Sequence, residues 1–174
     1  FLELIGVKGR RLPHDIVHEA VARLDSLKHP RCRGALSPHA PYSTVPELLR
    51  LSARTARRRR WRLATHVAES ALEYEMFAHG RGAMFDWLQR SGRDMSDCGL
   101  GSPVNHLERC GLLSDSLLAA HVNYLAQGDA ALLRTPLGHW ILIDAGPRTD
   151  TWDAGRQVIL PFLAAHRVGR LDLA

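Results

Sequence analysis

Short apolar runs alternate along this chain with stretches whose apolar residues recur every three or four positions. Phe1–Val7 is the first apolar run and contains Gly6, the pattern of a short buried strand. Between Pro13 and Leu27 the apolar residues Ile16, Val17, Ala20, Val21 and Leu24 follow a helical spacing. Gly34–Ser37 predicts a second strand running into the turn Pro38–Pro41. Ser43 or Thr44 then caps a helix that carries Val45, Leu48, Leu49 and Leu51. Arg62–Thr65 predicts a third strand and Glu69–His79 a helix, which resumes at Met84–Gln89 after the Gly80–Gly82 break. Asn105–Cys110 predicts a short helix stopped by Gly111, Leu117–His121 a fourth strand, and Asp129–Leu133 the start of one more helix.

Strands alternating with helices of this length predict repeated βα units on a parallel sheet, closed into a barrel or open and doubly wound. In both architectures chemistry collects where strands end. Ser37, His39, His66 and His121 all stand at or just past the end of a predicted strand, which favours a barrel rim.

Composition adds limits. With 174 residues, 45% of them hydrophobic and 24% charged, the chain is an ordinary globular one with enough apolar surface for a core. No apolar run approaches the length of a membrane span, and FLELIGV lacks the basic lead and cleavage site of a signal peptide. The three cysteines, Cys32, Cys98 and Cys110, form no CxxC pair, which argues for a reducing, cytoplasmic setting. The net charge of +5 raises the question of nucleic acid, and Arg57–Arg60 is its local support. That run closes a helical pattern beside a single aromatic, Trp61, and reads as a solvated helix end.

Three segments carry the candidate chemistry: LSPHAPYS at Leu36–Ser43, THVAES at Thr65–Ser70 and AHVNYL at Ala120–Leu125. A single histidine on an apolar strand is more often a satisfied core residue than a ligand. Three at consecutive strand ends are different, because neighbouring strands lie only about 5 Å apart. His39, His66 and His121 are therefore expected to face one rim cavity. Glu69 follows His66 by three residues and would point the opposite way along a continuous strand. It joins the histidines only if the chain turns after His66. There it would be placed to move a proton for a hydrolase, although it reads equally well as a first-turn acid favoured by the helix dipole.

In order and spacing, these segments resemble the amidohydrolase superfamily, in the branch of cytosine, guanine, S-adenosylhomocysteine and aminofutalosine deaminases and triazine chlorohydrolases. FLELIGV resembles the third barrel strand of that family and the three segments above the fourth, fifth and sixth. The resemblance implies an α/β fold in which residues 1–133 form part of a (β/α)8 TIM barrel. It implies a Zn2+- or Fe2+-dependent hydrolase acting on C–N or C–Cl bonds of a purine, pyrimidine or similar small heterocyclic substrate. His66 would be a metal ligand, Glu69 the proton shuttle, His121 a catalytic residue polarising the substrate, and His39 a substrate contact. The family completes its metal site with a His-x-His pair on the first strand and an Asp after the eighth. With one such ligand here, the expectation is no stoichiometric metal and no activity from this chain alone, leaving a non-catalytic fragment as the alternative.

Residues 136–174 depart from that pattern. Trp140–Asp144 predicts a strand, Ala154–His166 an amphipathic helix and Leu171–Leu173 the start of another strand. This segment resembles the opening of a metallo-β-lactamase-type domain of DNA-uptake channel proteins, in which Asp144 would line the metal pocket. As an isolated residue Asp144 reads equally as a turn former. That resemblance makes a DNA-processing hydrolase a further alternative. The change of pattern near Leu133–Pro136 has no linker, so a truncated or joined reading frame is the expectation there.

Overall fold

A computed structural model describes the chain except for residues 8–10, 28–30, 125–130, 135–138, 144–152, 154, 166 and 173–174. It divides into two compact units, Phe1–Tyr124 and Leu125–Ala174. The pairing of Ala131–Arg134 with Trp140–Ile143 lies within the second unit.

The first unit contains β1 (Leu2–Leu4), α1 (Pro13–Ser26), β2 (Ala35–Pro38), α2 (Pro46–Arg59) and β3 (Arg62–Val67), then α3 (Ala71–His79), α4 (Ala83–Arg90), α5 (Pro103–Arg109) and β4 (Leu117–His121). Its four strands form one sheet in chain order, every pair parallel. Sequential parallel strands joined through helices are what the alternating pattern predicts. Leu2 pairs with Leu36, Leu36 with Leu63, and Leu63 with Leu117. Those leucines therefore share a row facing the helices.

Alternation then divides the two faces. Leu4, Leu36, Leu63 and Val67 are buried in a core with Ile16 of α1, Leu49 of α2 and Leu107 of α5. Glu3, Ser37, Ala64 and His66 occupy the opposite face. A smaller apolar cluster, Met76, Phe77 and Leu88, joins α3 to α4. Gly6 fits where a side chain would not, since an added Cβ would come within 2.8 Å of the Leu48 side chain. That close approach lets Gly6 bridge to Thr44 and bond both Ser43 and Val45.

The helix ends follow local chemistry, with one correction. Neither Ser43 nor Thr44 caps α2; the cap is Val45, with extended backbone and no side-chain hydrogen bond. Pro46 at the first helical position holds its predecessor extended, so the helix cannot begin earlier. Ser43 instead belongs to a 3-10 turn, Pro41–Ser43. Arg57, Arg58 and Arg59 form the exposed last turn of α2, where Arg59 pairs with Asp25 at 2.7 Å and lies over Trp61.

In the second unit, β5 (Ala131–Arg134) and β6 (Trp140–Ile143) form an antiparallel pair. The helix expected from Asp129 to Leu133 is thus a strand over its described part. So short an apolar run has no period of its own, and its pairing partner decides. The helix expected at Ala154–His166 is a π-turn, Gly155–Ile159, followed by α6 (Leu160–Ala165). Pro161 explains the break, because its ring collides with the carbonyl four residues earlier in a regular helix. Leu171 and Asp172 lie in no strand; Asp172 instead bonds the Trp140 backbone through its own amide and carboxylate. Asp144 lies outside the described residues. No helix among the described residues is long and apolar enough to cross a membrane.

Leu36 is fully buried beneath both neighbouring strands. Leu36→Ala should destabilise the first unit by about 2–5 kcal/mol in urea unfolding followed by circular dichroism. A loss below about 1 kcal/mol would mean that the sheet does not pack on its helices as described.

Candidate functional site

His66 lies inside β3, one residue before its end, and its backbone amide donates to the carbonyl of His39 at 2.7 Å. That bond aligns the end of β2 with the end of β3. The imidazoles follow, with ring centroids of His39 and His66 5.1 Å apart and those of His66 and His121 5.0 Å apart. Three rings from three neighbouring strands form one row at the C-terminal edge of the sheet.

His121 reaches this row by an irregular route. It pairs with Val67, a buried residue, so strict alternation would send its side chain toward the helices. Its φ of 74°, followed by 55° at Val122, turns the chain left-handed and brings the ring over His66 instead. Such angles cost a β-branched residue like Val122 about 1–2 kcal/mol. The turn is held by Val122 N–H donating to the Val67 carbonyl and Asn123 N–H to that of Ala68, both at 3.0 Å.

Glu69 arrives by the turn that its spacing requires. Ala68 has a φ of 51°, which ends the strand and reverses the direction of the next side chain. Glu69 Oε1 lies 3.7 Å from His121 Nε2, and Glu69 Oε2 accepts a hydrogen bond from the Tyr42 hydroxyl at 3.3 Å. Burial first, and then Glu69 and Glu73, push the Tyr42 hydroxyl up to about 12, so it remains a proton donor. All four residues singled out from the sequence are therefore brought together.

Several neighbours of this row were not among the expected site residues. Glu3 of β1 contributes a carboxylate beside His39 and His66. Ser43 Oγ lies 2.6 Å from His39 Nδ1 and donates to the Ala40 carbonyl. Glu73 is fully buried and its Oε2 accepts the Glu69 amide at 2.8 Å, while its own amide donates to the capping hydroxyl of Ser70. Ser70-x-x-Glu73 is a capping-box spacing, so this support could have been read from the sequence. Arg93 could not. It comes from the segment after α4, is buried on Asp97 at 2.7 and 2.8 Å, and donates to the Pro41 carbonyl at 3.3 Å. It thereby fixes the turn that carries Tyr42 and Ser43.

The donor set fits a divalent transition cation. The ligand atoms of His66, Glu69 and His121 lie within 4.8 Å of one another, and so do those of Glu3, His39 and His66. Nδ1 of His66 is buried with no hydrogen-bond partner among the described residues. Imidazole nitrogen and carboxylate oxygen are the donors that zinc and iron(II) sites use.

No family model matches the chain. Over 104 residues it is 36% identical to the 5-methylthioadenosine/S-adenosylhomocysteine deaminase of Syntrophobacter fumaroxidans, covering 60% of this chain and 20% of that protein. Over 152 residues it is 30% identical to the enzyme of the same name from Pelotomaculum thermopropionicum, covering 82% of this chain and 31% of that one. The chain thus spans about a fifth to a third of the length of these relatives. A triazine hydrolase variant superposes with a TM-score of 0.52 at 21% identity, over 72% of this chain and 26% of that one, a likeness of fold. The two named relatives are deaminases, in agreement with the deaminase branch that the sequence resembles. These comparisons give no support to the metallo-β-lactamase likeness of residues 136–174.

Burial raises the Glu73 carboxyl to about 7, against 4.5 when unfolded, even though the amides of Glu69 and Ala68 favour its anion. Between these values the folded chain holds a proton that the unfolded chain has lost. Stability from this group therefore falls as pH rises from about 4.5 through 7. Urea unfolding at pH 5 and pH 8 should show Glu73→Gln gaining on the wild type at the higher pH, by on the order of 3 kcal/mol. A difference independent of pH would mean that Glu73 is ionised throughout.

Proposed function

We propose that Phe1–Tyr124 supplies part of the active-site rim of a metal-dependent amidohydrolase that removes an amino group, or a comparable leaving group, from a purine-like heterocycle. One observation carries this reading: His39, His66 and His121 stand in a row at the ends of adjacent parallel strands, with Glu69 against the last of them. The relatives' names add the substrate class, an adenosine-type nucleoside.

In this reading His66 holds the divalent metal, which when bound supplies Lewis acidity and lowers the pKa of water from about 15.7 toward 7. Glu69 Oε1 takes a proton from the attacking water and returns it to the departing nitrogen. Its position suits both halves of that transfer, because Tyr42 fixes Oε2 and leaves Oε1 toward His121. His121 Nε2 hydrogen-bonds the ring next to the carbon under attack and stabilises the charge that develops there. Ser43 accepts from His39 Nδ1–H while donating to the Ala40 carbonyl, leaving the other ring nitrogen of His39 as an acceptor for substrate. Glu73 holds the Glu69 amide and so fixes the carboxylate's starting point.

A graft tests this reading. Phe1–Tyr124 should replace the matching strands of the Pelotomaculum thermopropionicum relative and support ammonia release from 5-methylthioadenosine. In that graft Glu69→Gln should lower kcat by about 10²–10⁴ with little change in KM. His66→Ala should remove both metal and turnover. A graft that is active yet indifferent to Glu69→Gln would refute the assigned roles.

A further inference from the structure

His66 belongs to two donor groups, and the reading above uses one of them. The other combines Glu3 at the middle of β1, His39 just past β2 and His66 near the end of β3. Their ligand atoms lie within 4.8 Å of one another, although the residues are 36 and 27 positions apart in sequence. The register explains the convergence. Glu3 pairs with Ser37 on the face opposite the helices, His39 N–H donates to the Leu4 carbonyl at 3.0 Å, and His66 N–H donates to the His39 carbonyl.

We propose that Glu3, His39 and His66 form a second site for a borderline divalent cation such as Zn2+, on the β1 side of the histidine row. Two features beyond the clustering point to a cation. Nδ1 of His66 is buried and without a hydrogen-bond partner among the described residues, which leaves this nitrogen open to a ligand. His39 is held through Nδ1 by buried Ser43, whose own proton goes to the Ala40 carbonyl. That arrangement leaves a lone pair on the other nitrogen, the support that ligating histidines usually have. Two imidazoles, one carboxylate and an open fourth position are a donor set that Zn2+ accepts.

The site differs from the single-ligand count made for this chain from its sequence. That count took only His66, because the resemblance assigns the other ligands to the first and eighth barrel strands and gives neither the carboxylate on β1 nor the imidazole after β2 a ligand's role. The fold brings them together. The inference goes beyond the proposed function: it shares His39 and His66 with that reading but recruits Glu3 in place of Glu69 and His121, and it is stated for the 174-residue chain by itself, before substrate is bound.

Calorimetric titration of the 174-residue chain with Zn2+, together with visible absorption of its Co2+ form, tests the proposal. One ion per chain should bind in the micromolar range. Glu3→Gln, an exposed position that the fold does not need, should weaken binding roughly tenfold or more and alter the Co2+ spectrum. Ser43→Ala should weaken it by about tenfold through loss of the ring's support. Glu69→Gln should leave the affinity within about twofold, because Glu69 lies outside this donor group. Circular dichroism of each variant confirms the fold. Absence of binding, or binding unchanged by Glu3→Gln, overturns the proposal. Loss of the ion on Glu69→Gln with Glu3→Gln silent also overturns it, by locating the ion in the other donor group, while the graft described above tests the proposed function separately.

Discussion

The hydrogen bond from His66 N–H to the His39 carbonyl, 2.7 Å long, sets the geometry on which every feature of this rim depends. It continues the parallel register of β2 and β3 past the last regular pair and sets the two backbones level at their C-terminal ends. A slip of one residue would send His66 to the helix face and bring Val67 or Thr65 to the rim. The buried leucine row prevents that slip. Leu36 and Leu63 would have to leave the core, at about 1.5–3 kcal/mol each. The apolar face therefore dictates where the imidazoles stand without touching them.

Local strain then aims the remaining groups. Ala68, His121 and Val122 all adopt left-handed backbone, and each sits at the point where a strand must deliver a side chain to the rim. Their amides and carbonyls are not wasted. Asn123 and Tyr124 donate to the Ala68 carbonyl, and the Asn123 side chain donates to the Glu69 carbonyl. The two turns thus lock each other, and the shared bonds offset strain that neither turn could hold alone.

Beneath the rim lies a second tier of buried polar groups. Glu73 holds the Glu69 amide, and Arg93, neutralised by Asp97, holds the turn of Tyr42 and Ser43. Both are costly residues to bury. His106 packs on the Phe77 ring near Asp97, and burial drives its imidazole down to about 4, so it stays neutral there. These groups tie the rim turns to the elements beneath them, which a purely apolar layer could not do with the same directionality.

What the amino-acid sequence determined by itself was the order of elements in the first unit and the residues at its strand ends. Apolar period and turn chemistry are local properties, so β2, β3, β4 and the turn after His66 were legible from single segments. Tertiary structure decided the rest. His121 faces the row because of a left-handed φ that no spacing reveals, and Glu3 enters a donor group through pairing with a strand more than 30 residues away. Ala131–Arg134 became a strand once Trp140–Ile143 supplied hydrogen-bond partners. Pattern identifies which residues share a face, whereas dihedral angles and distant backbone partners determine which of them meet, and those exist only in the folded chain.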